Sequence, residues 1–186
     1  MTSRMLDEAL EAPAAVARLL AADAQPYTAL GNALRTAPPQ SVLTLARGSS
    51  DHAAHYMAYL VMARLGRLVT SLPMSLVTLY QAPLRCEGLV AVAFSQSGQS
   101  PDLVAPTRLL HAGGARTVAI VNDPESPLAQ AAQWLLPLHA GAETSVAATK
   151  SYINQLVAGA RLVAAWQQDG VLLGALQGLP ETLAQA

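Results

Sequence analysis

Four apolar runs of strand length each end in a small polar turn that leads into a longer mixed segment, and this repetition constrains the fold more than any other feature. "SVLTLA" (41–46) runs into "RGSSD", "GLVAVAF" (88–94) into "SQSGQSPD", "RTVAIV" (116–121) into "NDPES", and "WLLPLH" (134–139) into "AGAETSVAATK". The runs are continuous rather than alternating and rich in Val and Leu, as strands are when both faces of their sheet are covered. "HAAHYMAYLVMARLG" and "PDLVAPTRLLHAGG" lie between them, have helical length and end at glycine, where helices often stop. Parallel neighbours require crossovers of that length. The pattern therefore predicts an α/β fold: a three-layer α/β/α sandwich around a mostly parallel five-stranded sheet, with "RLVTSL" (67–72) as the further strand.

At 186 residues the chain is the size of one domain with a real core. Helices are expected over 1–38, one from near Met5 and one from near Gln25 that Pro38 and Pro39 close. They suit packing or dimerisation. The sheet and its crossovers fill 40–145, and helices follow over 146–186. There, "TKSYINQLVAGARLVAAWQQ" carries Ile153, Leu156, Val157, Ala160 and Val163 at three- and four-residue spacing, which predicts an apolar helix face. "DGVLLGALQGLPETLAQA" reads as a final helical segment broken near Gly178 and Pro180.

Several function classes are excluded by composition. No uninterrupted apolar stretch reaches the ~18 residues of a membrane span, so no membrane partner is expected. Eleven basic and twelve acidic residues leave a net charge of -1, and the arginines are scattered rather than gathered into a stripe that could follow a phosphate backbone. Nucleic acid is therefore not an expected partner. Arg4, Asp7, Glu8 and Glu11 interrupt the first apolar residues, unlike the basic flank and apolar core of a signal peptide, which makes the cytoplasm the expected location. Cys86 is the only cysteine, so neither an internal disulfide nor a multi-cysteine metal site can form.

In open parallel sheets ligands bind beyond the carboxyl ends of the strands. Three such ends carry small polar residues: Ser49 and Ser50; Ser95, Gln96, Ser97 and Ser100; Thr144, Ser145 and Thr149. Each loop precedes a helix, whose first N–H groups favour an anion, so hydroxyls and backbone amides together could hold a phosphate without a lysine. Gly98 would let the backbone approach a ligand, and Ser100 before Pro101 and Asp102 reads as an N-cap and first turn. Any one of these serines alone could equally be a helix cap; convergence of all three loops would decide for a site. GxxxxGK[ST] is absent and "RGSSDH" does not give GxGxxG, which argues against a nucleotide site.

Other residues admit two readings each. Lys150, the only lysine, could form a Schiff base with an open-chain ketose or pair with nearby Glu143. Glu143 could act as general base or stabilise its loop. His52 and His55 lie three apart but lack a third ligand nearby, so no metal is expected.

From "MLDEALEAPAAVARLL" through "ARGSS" and "SQSGQSPD" to "AGAETSVAATKSYINQL", the chain resembles the sugar isomerase (SIS) domain family, in particular the amino-terminal SIS domain of glucosamine-6-phosphate synthase and its deaminase relatives. The resemblance implies that Ser49, Ser50, Ser95, Gln96, Ser97, Gly98 and Ser100 form a site for the phosphate of a hexose 6-phosphate or amino-hexose 6-phosphate. Val146 and Ala148 would lie against the open-chain sugar. Ser100 and Ala148 stand where relatives often have threonine and serine; the second change removes a hydroxyl. The implied chemistry is acid–base interconversion of ketose and aldose phosphates, with ammonia added or removed and no cofactor. In relatives with two SIS domains the catalytic glutamate, histidine and lysine belong to the second, so none is carried over. The chain is thus expected to be the first half of a double-SIS protein, a homodimer using free ammonia rather than glutamine. A phosphosugar-sensing regulatory module and a non-catalytic SIS partner domain are the alternatives.

Overall fold

The computed structural model describes residues 3–186. Five strands, Ser41–Leu45 (β1), Val69–Ser71 (β2), Leu89–Ser95 (β3), Arg116–Val121 (β4) and Trp134–Pro137 (β5), form one sheet in the order β2-β1-β3-β4-β5. Every pairing is parallel, so the sheet is wholly rather than mostly parallel.

The two faces of the sheet differ in side-chain size. Along β3, Val90, Val92 and Phe94 point to one face while Ala91 and Ala93 point to the other; along β4, Val118 and Ile120 oppose Ala119 and Val121. The bulkier face is covered by Ala12–Ala21 (α2), Gln25–Thr36 (α3), Ser49–Leu65 (α4) and Lys150–Gln167 (α8). Ser75–Thr78 (α5), Pro101–Ala112 (α6) and Pro127–Ala131 (α7) cover the alanine face. Small side chains there let these helices sit close to the strands without voids. Helix α8 packs against α2, α3 and α4 at once and is the centre of the bulkier layer.

Among the described residues three helices precede the sheet rather than two. Arg4–Leu10 (α1) stops at Glu11 and α2 begins at Ala12, because Pro13 in the first turn of α2 has no N–H with which to continue the ladder from α1. The closing segment breaks at Gly178 as expected, into Gly170–Gln177 (α9) and Leu179–Ala184 (α10). Helices α5 and α7, with four and five residues, are too short for any periodicity to announce them. On α8 the expected apolar face is displaced: Ile153 and Leu156 are only half-buried, while Asn154 and Gln155 are fully buried. Among the described residues no helix is long and apolar enough to cross a membrane.

Candidate ligand-binding site

From β1 the chain turns onto the bulkier face as α4, whereas from β3 it turns onto the alanine face as α6. Because β1 and β3 are neighbours, their following loops diverge and open a crevice at the carboxyl edge of the sheet, the switch point at which open α/β folds bind ligands. Arg47, Gly48, Ser49 and Ser50 line it from β1, and Ser95, Gln96 and Ser97 from β3. Glu143, Ser145, Val146 and Ala148 close it from the β5–α8 loop, giving an open cavity of roughly 340 Å³.

The N-terminus of α4 lines this cavity without a side-chain cap, and that of α6, which follows the Ser95–Ser97 loop, is also uncapped. Gly48 precedes α4, and Ser100 precedes α6 in extended conformation with its hydroxyl making no capping bond. Helices α1, α7 and α9 are capped by the side chains of Ser3, Ser126 and Asp169. A helix start leaves its first N–H groups unpaired, so α4, whose N-cap Gly48 and first residues Ser49 and Ser50 line the cavity, presents partial positive charge to it.

Three hydroxyls of the crevice, those of Ser50, Ser95 and Ser97, share one arrangement, in which each accepts a protein N–H and keeps its own proton. Ser95 Oγ accepts from the Gly98 amide (2.9 Å) and Ser97 Oγ from the Gln99 amide (3.3 Å). Ser50, nearly buried, accepts from Gln155 Nε2 at 3.0 Å. Gln155 has no exposed surface, and its Oε1 has no partner. Three hydroxyl protons are therefore left for an acceptor in the cavity, as an anionic oxygen requires.

Serines and threonines of the third loop are committed elsewhere. Glu8 of α1, itself buried, accepts from the amide of Thr144 (2.7 Å), its Oγ1 (3.1 Å), the amide of Ser145 (3.1 Å) and the Ser145 hydroxyl. These bonds, led by that from the Thr144 amide, hold the Glu8 carboxyl below the ordinary carboxylate range against the opposing effect of burial. Glu143 accepts from the amide and hydroxyl of Thr149 (both 2.9 Å), the Ser151 amide (3.2 Å) and the Ser151 hydroxyl, and so anchors the start of α8. Lys150 is 3% exposed and pairs with Glu11, not with Glu143, and it does not line the cavity.

The structure thus gathers Ser49, Ser50, Ser95, Gln96, Ser97, Val146, Ala148 and Glu143 around one cavity, with Val146 fully exposed at the rim. Gly98 and Ser100 are not among its lining residues. Gly98, at φ 66°, is held by its neighbours: a Cβ there would lie 2.2 Å from Ser126 Oγ, so close packing against α7 rather than approach of a ligand demands glycine. His52 and His55 are exposed on α4, with His55 Nδ1 lying 2.7 Å from the Asp51 carbonyl. Arg47, Glu8 and Gln155 were not singled out from the sequence. A glutamine inside an otherwise apolar helical stretch was the one signal for Gln155, and nothing near Glu8 in sequence points to the loop it holds.

Comparison with known proteins identifies the family and the fold. The SIS domain family matches residues 37–165. A glutamine–fructose-6-phosphate aminotransferase (isomerizing) of Symbiobacterium thermophilum is 35% identical over an alignment of 156 residues that covers 78% of this chain and 25% of that protein. A solved structure from Silicibacter pomeroyi, of a protein provisionally named a phosphosugar isomerase, superposes with a TM-score of 0.95 at 46% identity, over 99% of this chain and 56% of that one. A glucosamine-6-phosphate deaminase of Thermotoga maritima shares the fold at 21% identity, with a TM-score of 0.73 over 96% of this chain and 54% of that one. The chain therefore spans about a quarter of the aminotransferase and about half of the two solved relatives. On sequence and fold alike, the chain belongs to the SIS domain family.

Proposed function

We propose that the chain is the phosphosugar-binding SIS domain of an aminosugar-phosphate isomerase or deaminase, with glucosamine 6-phosphate or fructose 6-phosphate as the class of ligand. The observation that carries this reading is the convergence of three proton-bearing hydroxyls, on Ser50, Ser95 and Ser97, with the uncapped start of α4. A phosphate ester seated there accepts from hydroxyls and helix amides at once. Its sugar would extend toward Val146 and Ala148 on the opposite wall. The name of the Silicibacter pomeroyi protein supports the ligand class.

Binding and catalysis separate in this chain. A base that moves a proton between C1 and C2 needs a free carboxylate or imidazole within reach of the carbon. Glu143 is saturated by four donors and Lys150 is held by Glu11, so neither is available for that task. We assign the base to a second SIS domain or a partner subunit, consistent with a chain that spans 56% of its solved relative. Exposed Leu10, Tyr59 and Leu79 are compatible with such a neighbour or with a homodimer.

Calorimetric titration with glucosamine 6-phosphate, with glucosamine and inorganic phosphate as controls, tests the reading. Binding that requires the phosphorylated sugar and weakens on Ser97→Ala is expected. Equal binding by Ser97→Ala would remove the assigned pocket.

A further inference from the structure

Hydroxyls and helix ends offer only partial charges, whereas a phosphate monoester carries about two negative charges at neutral pH. Among the described residues that line the cavity, Arg47 is the only cation. It directly follows β1 and Ala46, and its guanidinium spans the divergence between β1 and β3 to reach Asp102 in the first turn of α6, 3.0 Å away. The two side chains are 57% and 52% exposed. An ion pair so open to water contributes little, so little keeps the guanidinium on that carboxylate. Asp102, at a helix start, also has the α6 dipole to stabilise its charge without Arg47.

Two other cations near this edge are committed. Lys150 is buried on Glu11, and Arg18 donates to the carbonyls of His139 (3.1 Å) and Ala140 (2.8 Å). Arg47 differs from both in holding a partner that is exposed and easily exchanged.

We propose that Arg47 neutralises the phosphate of the bound ligand by exchanging Asp102 for it. This rests on the reading of the cavity as a phosphosugar site. In the free protein the guanidinium bridges the mouth of the crevice to Asp102; when a phosphate seats between Ser50 and Ser97, the same planar fork turns inward and takes two of its oxygens. Asp102 is then a competitor that lowers affinity for every anion. The ligand that displaces it best is a dianion with oxygens placed to meet the fork, which selects a phosphate ester over a neutral sugar.

The two members of the pair therefore have opposite effects on binding. Titrating the parent, Arg47→Gln, Arg47→Lys, Asp102→Asn and, as reference, Ser97→Ala with glucosamine 6-phosphate distinguishes the possibilities. Arg47→Gln is expected to bind tenfold or more weakly, Arg47→Lys to fall between it and the parent, and Asp102→Asn to bind severalfold more tightly. If Asp102→Asn weakens binding as Arg47→Gln does, the pair merely holds α6 against β1 and the exchange is overturned. If Arg47→Gln binds like the parent while Ser97→Ala does not, Arg47 has no role and the reading of the site stands. A parent that binds no phosphosugar overturns that reading, and the role of Arg47 with it.

Discussion

A single methyl group added to Gly98 should damage both the fold and the ligand site. Gly98 sits at φ 66°, where a residue with a Cβ costs about 1–2 kcal/mol. The added carbon would also lie 2.2 Å from Ser126 Oγ, 2.5 Å from Ser126 Cβ and 2.9 Å from Val121 Cγ2. Ser126 is 1% exposed and caps α7 through the Ala129 amide; Val121 has no exposed surface. Rotating the serine hydroxyl away would relieve the first contact but not the second, so backbone must move, at an overpacking cost of about 1–3 kcal/mol. The total for Gly98→Ala is about 2–5 kcal/mol. Gly66 supplies the control: it has φ 63° and nothing within 4 Å of a Cβ, so Gly66→Ala should cost only the conformational part, about 1–2 kcal/mol. Urea unfolding of both variants, with midpoints converted at a common slope, gives the difference directly. Gly98→Ala should also bind phosphosugar less tightly, since its amide orients Ser95. Equal losses at the two positions would refute the steric argument, and an unchanged affinity would refute the coupling of this turn to the site.

Two further outcomes follow from the groups that hold the crevice. Gln155→Leu removes the donor to Ser50 while eliminating a buried amide oxygen that has no partner, so affinity should fall by about tenfold with thermal stability nearly unchanged; a falling melting temperature with intact affinity would reverse that assignment. Glu8 has its carboxyl pKa lowered in the folded protein, so its contribution is full above the unfolded value of about 4.3 and is lost as pH falls through the lower folded one. Amide exchange in residues 142–149 should therefore quicken on acidification in the parent and be fast at every pH in Glu8→Gln; matching profiles would show that Glu8 does not hold the loop.

Strands were the most legible part of the chain, because burial on both faces makes a parallel strand a continuous apolar word, and β1, β3, β4 and β5 fall where those words stand. The edge that carries the crevice was legible for the same reason, since Ser95 ends one such word and Ser50 follows another in the turn onto α4. Function could not be read from residue type within the loops. Ser97 and Ser145 look alike in sequence, but Ser145 gives its proton to a carboxylate on α1, which comes close only when α1 docks on that loop. Lys150 and Glu143 invited catalytic readings for the same reason: Glu11 and the start of α8 saturate them from positions that no local pattern reveals. Gly98 reads in sequence as a point of ligand approach, whereas its positive φ and its contact with Ser126 at the start of α7 give the glycine a packing cause. Gln155 was hidden inside an apolar helix pattern whose buried side turned out to be polar near its start.

The most direct test of the account is an amide shift map of the ¹⁵N-labelled chain titrated with glucosamine 6-phosphate. The account requires the largest changes at Ser49, Ser50 and the residues from Ser95 to Ser97, with smaller ones around Val146. Changes confined to another surface, or saturating changes given equally by unphosphorylated glucosamine, would contradict a phosphate site at the crevice between β1 and β3.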